Sequence, residues 1–171
     1  NHELPTAARA MEALGLPLRY AMLMGADNYL CVQRLSRLRA RPDAVSETGK
    51  ETLERLDAWT RDAQSGHRSN LPELIAQNMW DRVARDTDLC MGQGGPYWDR
   101  CLWRRDRERA DRAHILVVNH ALLLSDVSTG SKVLPEYDYV IVDEAHHMES
   151  AVTSALSFRM TQNDLDRMLK E

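Results

Sequence analysis

The sequence predicts an α/β fold in which a parallel sheet is interrupted by a mainly helical insert. Three observations carry this. Leu18 to Met24, His114 to Val118 and Tyr139 to Val142 are short apolar runs. The last two are β-branched and continuously apolar, as strands covered on both faces of a parallel sheet are. Between the first and second runs, roughly 75 residues show the 3.6-residue recurrence of helices.

The elements follow in order. Residues 1–14 predict a helix with Ala7, Ala8, Met11 and Leu14 on one face and Gly15 as its stop. The strand at 18–24 ends in Gly25-Ala26-Asp27. Helical patterns cover about 28–40, 46–64 and 71–86, the last with Pro72 in its first turn, where a missing N–H costs nothing. The stretch MGQGGPYWDR (91–100) is a Gly/Pro-punctuated loop. A charged helix over about 98–112 leads into the second strand, and Tyr139–Val142 is the third. No internal repeat or low-complexity segment occurs.

At 171 residues the chain suits one domain, or one and a piece, with a real core. With 43% hydrophobic and 28% charged residues it has an ordinary globular composition. No apolar stretch approaches the roughly 20 residues of a membrane span and no signal-peptide pattern opens the chain, so the expected compartment is cytoplasmic, with no membrane partner. The three cysteines are an odd number, against a disulfide framework. The net charge of −4 hides local structure. Arg34, Arg37, Arg39 and Arg41 have no acid among them, and six arginines face four acids between Asp99 and Arg112. Such patches, rather than net charge, would carry phosphate contacts, although solvated helix faces look the same.

The most informative stretch is YDYVIVDEAHH (137–147). In open α/β sheets ligands bind beyond the carboxyl ends of strands. An acid pair there can hold a hydrated Mg²⁺ through one carboxylate and activate a water with the other. A bare Asp-Glu pair reads equally well as helix-dipole acids. The full Asp143-Glu144-Ala145-His146 tetrad after an apolar run points to nucleotide chemistry.

VIVDEAHH resembles the Walker B motif of superfamily 2 helicases, and its surroundings resemble the DinG/XPD-like family of iron–sulfur DNA helicases. Gly25-Ala26-Asp27-Asn28-Tyr29-Leu30-Cys31 is similar to that family's lead-in to the cluster domain. RADRAHILVVNHALLLSD (109–126) is similar to the return from it, and LPEYDYVIVDEAHHMESA (134–151) to the Walker B segment and the next helix.

The resemblance implies a partial RecA-like sheet: residues 1–30 in motor domain 1, 31–105 in a helical cluster-type insert, 106–150 returning to the motor domain, and 151–171 opening an arch-like insertion. It implies that Asp143 binds Mg²⁺ with ATP and that Glu144 activates the attacking water. His146 would couple nucleotide state to DNA, with His147 as much a helix-start residue as a functional one. Asn119 and His120 would face the DNA or the motor cleft, or simply cap a turn. Arg34, Arg37, Arg104 and Arg105 become candidates for phosphate contact, and Tyr97, Trp98 and Trp103 for base stacking. The partners implied are single-stranded or forked DNA and the remainder of the helicase chain, with a monomeric parent. The activity implied is ATP-dependent translocation and duplex unwinding of the repair or replication type.

The family pattern also implies a [4Fe–4S] cluster held by four cysteines. Cys31, Cys90 and Cys101 fit the first, second and fourth positions, and Gly95 stands at the third. Three readings stay open: no cluster and cysteines packed as small apolar residues, a cluster on three cysteines with a nearby group such as Asp88 or Asp99 at the open iron, or a variant Cys→Gly form. The spacing lacks the paired C-x2-C of structural zinc. No G-x-x-x-x-G-K-[ST] loop occurs in the sequence. The expectation is therefore a piece of a motor that hydrolyses no ATP alone. The alternative is a non-catalytic DNA-binding or interaction module with a degenerate cluster site.

Overall fold

The computed structural model describes residues 3–156, which divide into two compact units between Val118 and Asn119. The first unit holds α1 (Glu3–Ala13), β1 (Tyr20–Leu23), α2 (Val32–Arg39), α3 (Glu47–Asp62), α4 (Gln77–Val83), α5 (Leu102–Ala110) and β2 (Ile115–Val118). The described part of the second holds α6 (His120–Ser128) and α7 (Met148–Leu156). The chain is thus mixed α/β. No described helix is long and apolar enough to cross a membrane. Of the expected arch segment, residues 157–171 lie outside the described residues.

β1 and β2 pair in parallel, with Tyr20 opposite Ile115 and Leu23 opposite Val118. Everything from α2 to α5 is inserted between them. The expectation that the second strand is covered on both faces is not met: Ile115 of β2 is exposed and Leu116 to Val118 are only half-buried, while in β1 Ala21 and Leu23 are buried and Tyr20 and Met22 are each 41% exposed. A two-stranded sheet offers one packed face, so burial alternates along the strand.

The insert owns the main core. Leu35 and Leu38 of α2, Leu53 and Leu56 of α3, and Trp80 and Val83 of α4 pack together with Leu30, Ile75 and Ala84. Their spacing of three residues places one stripe of each helix inward. Val32, Ala63 and Leu102 form a second cluster against Trp59 and Tyr97. The Trp80 indole N–H is satisfied by the Asp27 carbonyl at 3.0 Å, which lets a large aromatic sit fully inside.

The stretch Tyr29–Cys31 threads between two other segments. Tyr29 bridges antiparallel to His67, and Leu30 to Ala84. Leu30 N donates to Gly66 O at 2.9 Å and Cys31 N to Val83 O at 2.8 Å. Gly66 has no room for a side chain, because a Cβ would lie 2.6 Å from the Leu102 Cβ. That close approach fixes the start of α5 against this thread.

Three predicted elements differ. The helix expected over 71–86 begins only at Gln77. Arg68 holds the Ile75 carbonyl (3.1 Å) and the Gln77 side chain (2.7 Å), and buried Ile75 is seated in the core with Leu74 fully exposed. This anchoring keeps 72–76 out of helical register. The helix expected from about 98 begins at Leu102, after a 3₁₀ turn at Trp98–Arg100 and extended Cys101. The helix expected from about 28 likewise follows a 3₁₀ turn at Ala26–Asn28 and begins at Val32.

The largest correction is in the second unit, where Tyr139–Val142 is not a strand. Its side chains are open to solvent, Tyr139 at 90% and Ile141 at 95% exposure. Strand propensity reports fit to a pleated, half-buried surface, and no strand lies among the described residues of this unit to pair with the run. What orders the turn after α6 is Asp126, fully buried near the end of that helix. Its Oδ1 accepts from Val133 N and Leu134 N, both at 2.8 Å.

Candidate functional site

Two places gather chemistry, one in each unit. In the first unit a small pocket is lined by Cys31, Gln33, Arg85, Cys90, Gly95, Tyr97, Trp98 and Cys101, among others. All three cysteines and the glycine at the odd position therefore meet at one spot. Cys31 and Cys101 are N-cap residues of α2 and α5, so two helix N-termini face the pocket. That end of a helix favours negative charge.

Arg85 adds a full positive charge. Its Nη2 lies 3.6 Å from Cys90 Sγ, its guanidinium stacks 4.0 Å over the Trp103 ring, and its Nε is buried without a hydrogen-bond partner. Burial pushes the Cys101 thiol up, and the Arg104 backbone and the Arg85 charge pull against that rise.

The resemblance to iron–sulfur helicases implies a cluster at these cysteines. Three thiols, two helix N-termini and a cation with an orphaned N–H suit an anionic, thiolate-held group. The thiols are not gathered to within 4.8 Å of one another as a single-ion site would require. The pocket is partly open to solvent, with a volume of about 30 Å³, room for roughly two waters. Three corners fit. The fourth is Gly95, with φ −83° and ψ 142°, a conformation open to any residue.

In the second unit Glu144 has φ 49° and ψ 43°, a left-handed conformation that a non-glycine residue adopts at a cost of ~1 kcal/mol or more. Asp143 Oδ1 accepts from Glu144 N at 2.8 Å, and His147 N donates to Glu144 O at 2.8 Å. The chain reverses here into a 3₁₀ turn, leaving both carboxylates exposed. His146 Nδ1 lies 3.4 Å from Glu144 Oε2, and the His146 and His147 rings are 4.0 Å apart. Among the described residues, Glu144, His146 and His147 form the one trio with ligand atoms within 4.8 Å. Asn119 caps α6, its Oδ1 accepting from Leu122 N at 2.9 Å. His120 Nε2 reaches the Asp143 carbonyl at 3.0 Å. The structure thus brings Asn119, His120, Asp143, Glu144 and His146 into one turn-and-cap arrangement.

The arginines behave differently from one another. Arg34 holds the Ala84 and Asp81 carbonyls at 2.7 and 2.8 Å, closing the end of α4. Arg104 pairs with Glu108 at 3.1 Å and lies 5.1 Å over Trp98. Arg105 reaches the Ala63 carbonyl at 3.4 Å, and Arg37 stays exposed beside Met91. Tyr97 shares a 2.6 Å hydrogen bond with Ser36. Arg85 and Gln33 were not legible as site residues, since neither stands in a cysteine motif.

The DEAD_2 family profile matches residues 8–165. The chain belongs to the DEAD_2 family. It is similar to the ATP-dependent helicase DinG of Mycobacterium tuberculosis (strain ATCC 25618 / H37Rv), 32% identical over 96% of this chain and 27% of that protein. It is also similar to the ATP-dependent DNA helicase YoaA of Escherichia coli (strain K12), 26% identical over 100% of this chain and 27% of that protein. A third relative, named 3'-5' exonuclease DinG, of Bacillus subtilis (strain 168), is 30% identical over 90% of this chain and 16% of that protein. This DEAD_2 chain spans about a quarter or less of these relatives' lengths.

Proposed function

We propose that the chain is part of the first motor domain of an ATP-dependent DNA helicase. The observation that carries this is the Asp143-Glu144-Ala145-His146 turn, with both carboxylates exposed, in a chain aligned over 96% of its length with a relative named ATP-dependent helicase. In this reading Asp143 holds Mg²⁺ of Mg-ATP, largely through water, and Glu144 orients and deprotonates the attacking water. His146, 3.4 Å from the Glu144 carboxylate, passes nucleotide state toward the DNA surface with Asn119 and His120. The domain assignment is 1–30 and 106–150 to the motor, 31–105 to the insert and 151–171 to the arch.

The parent translocates on single strands, unwinds forked duplexes in repair or replication, and works as a cytoplasmic monomer. The insert lines the DNA path, with Arg37 exposed beside Met91 and Arg34, Arg104, Arg105, Tyr97 and Trp98 held by their contacts within the insert. Cys31, Cys90 and Cys101 would hold a [4Fe–4S] cluster, which when bound would staple the starts of α2 and α5 to the loop before Cys90. A second reading, a non-catalytic DNA-binding module with a retired cluster site, is favoured by Gly95 alone.

The test is DNA-stimulated ATP hydrolysis by the full-length protein and its Glu144→Gln variant. Loss of the water-activating carboxylate should lower kcat by about 10²–10⁴-fold with Mg-ATP binding retained. An unchanged rate would refute the role. The 171-residue chain by itself should release no phosphate above background, because it contains no phosphate-cradling loop sequence.

A further inference from the structure

We propose that Gln33 is the fourth donor of the cysteine pocket, giving the site three thiolates and one amide oxygen. This rests on reading the pocket as a cluster site. The backbone of Gly95 fixes where the Cβ of a fourth cysteine would start. A Cβ built on Gly95 would lie 3.6 Å from Gln33 Oε1, which therefore sits where a side chain from residue 95 would reach. The other near atoms are the Gly92 carbonyl oxygen and the Met91 Cβ, each at 3.3 Å. Gln33 also lines the pocket itself, together with all three cysteines.

The amide is held in this pose. Gln33 Nε2 donates to Met91 Sδ at 3.0 Å, which turns the carbonyl end away from Met91 and leaves Oε1 as the free end. Gln33 lies two residues after Cys31 in the first turn of α2, so the cysteine at the N-cap and the amide share one rigid element. Asp88 and Asp99, the acids close in sequence, do not line the pocket. Asp99 is instead directed toward Arg104, at 3.8 Å.

A neutral oxygen donor binds iron more weakly than a thiolate, which is the soft ligand that iron–sulfur sites select. One iron, at the corner facing Gly95, would then be held less firmly than the other three. This makes the site differentiated by design of its ligands: three irons fixed and one exchangeable.

The experiment is anaerobic loading of the chain with ferrous iron and sulfide, in wild type, Gln33→Leu, Met91→Leu and Gly95→Cys forms. Far-UV circular dichroism checks that each is folded. Iron per chain is counted before and after stoichiometric ferricyanide, which takes one electron as the loosely held iron leaves as Fe²⁺, and paramagnetic resonance detects the three-iron product. Expected is one iron lost from wild type, none from Gly95→Cys, faster loss from Met91→Leu, which frees the amide, and loss about tenfold faster from Gln33→Leu, the scale of removing one partner from a metal site. Equal rates in wild type and Gln33→Leu overturn Gln33 as donor and leave the cluster reading standing. An iron-free wild type beside a loaded Gly95→Cys overturns the inference as well, because three thiols and an amide then do not suffice. Failure of every form to bind iron overturns the cluster reading itself.

Discussion

Tyr29 offers the sharpest test of how the insert is held. Its ring is 1% exposed, and its hydroxyl oxygen accepts the Met24 backbone N–H at 3.2 Å. Burial pushes its pKa from 10.0 up to about 12, the Met24 hydrogen bond pulling the other way, with smaller opposing effects from Asp106 and Arg109. Replacing Tyr29 with Phe keeps the ring against His67, whose centroid lies 5.5 Å away, and removes the acceptor. Near neutral pH the variant should be less stable by about 1–2 kcal/mol, the cost of leaving a partly buried N–H unpaired.

At alkaline pH the order should invert. Below pH 10 the phenol is neutral in both folded and unfolded chains, and its contribution is intact. Between 10 and about 12 the unfolded chain ionises while the native one does not, so wild type progressively loses up to ~3 kcal/mol that the Phe variant never had at risk. The two stability curves should cross at about pH 11. Urea unfolding followed by circular dichroism over pH 7–12 measures both arms. A difference that stays constant across that range would refute the buried-phenol argument, since the other alkaline titrations are common to both proteins.

Two further outcomes follow from burial. Leu56→Ala, at a position with no exposed surface in the main core, should lower stability by about 2–5 kcal/mol in denaturant titration. A loss below ~1 kcal/mol would mean that α3 is not packed as described. Asp126→Ala should leave the Val133 and Leu134 amides without their acceptor and speed their hydrogen exchange at least ~tenfold. Unchanged exchange would show that something else orders that turn.

The legible parts of the fold were those whose signal is local. The Leu35/Leu38 and Leu53/Leu56 spacings announce their helices, and Ile115–Val118 announces a strand, because side-chain periodicity is written in the chain itself. Tyr139–Val142 carries an equally strong strand composition and forms none, since a strand is completed by a neighbour and composition does not name one. The 72–76 stretch failed for a related reason: Arg68, several residues earlier, takes the Ile75 carbonyl that a helix would have used. At the candidate sites, the tetrad at 143–146 and the cysteines were visible as residue types. Arg85 and Gln33 were not, because their roles come from threads that bring residues 29–33, 83–90 and 95–101 to one pocket, and nothing in a single segment records that meeting.

The parallel pairing of β1 with β2 has a consequence for the order of folding. Arg19 and His114, hydrogen-bonded at the mouth of this sheet, are 95 residues apart in sequence. Closing a flexible loop of that length costs about 4 kcal/mol in chain entropy, more than four residues of two-stranded sheet can return by themselves. If the α2–α4 core forms first and the Tyr29–Cys31 thread draws the ends of the insert together, most of that entropy has already been surrendered. The sheet then closes over a short gap. The insert thus acts as a molecular clasp for the sheet that carries it, and loosening its core should open β1 from β2 in the same cooperative step.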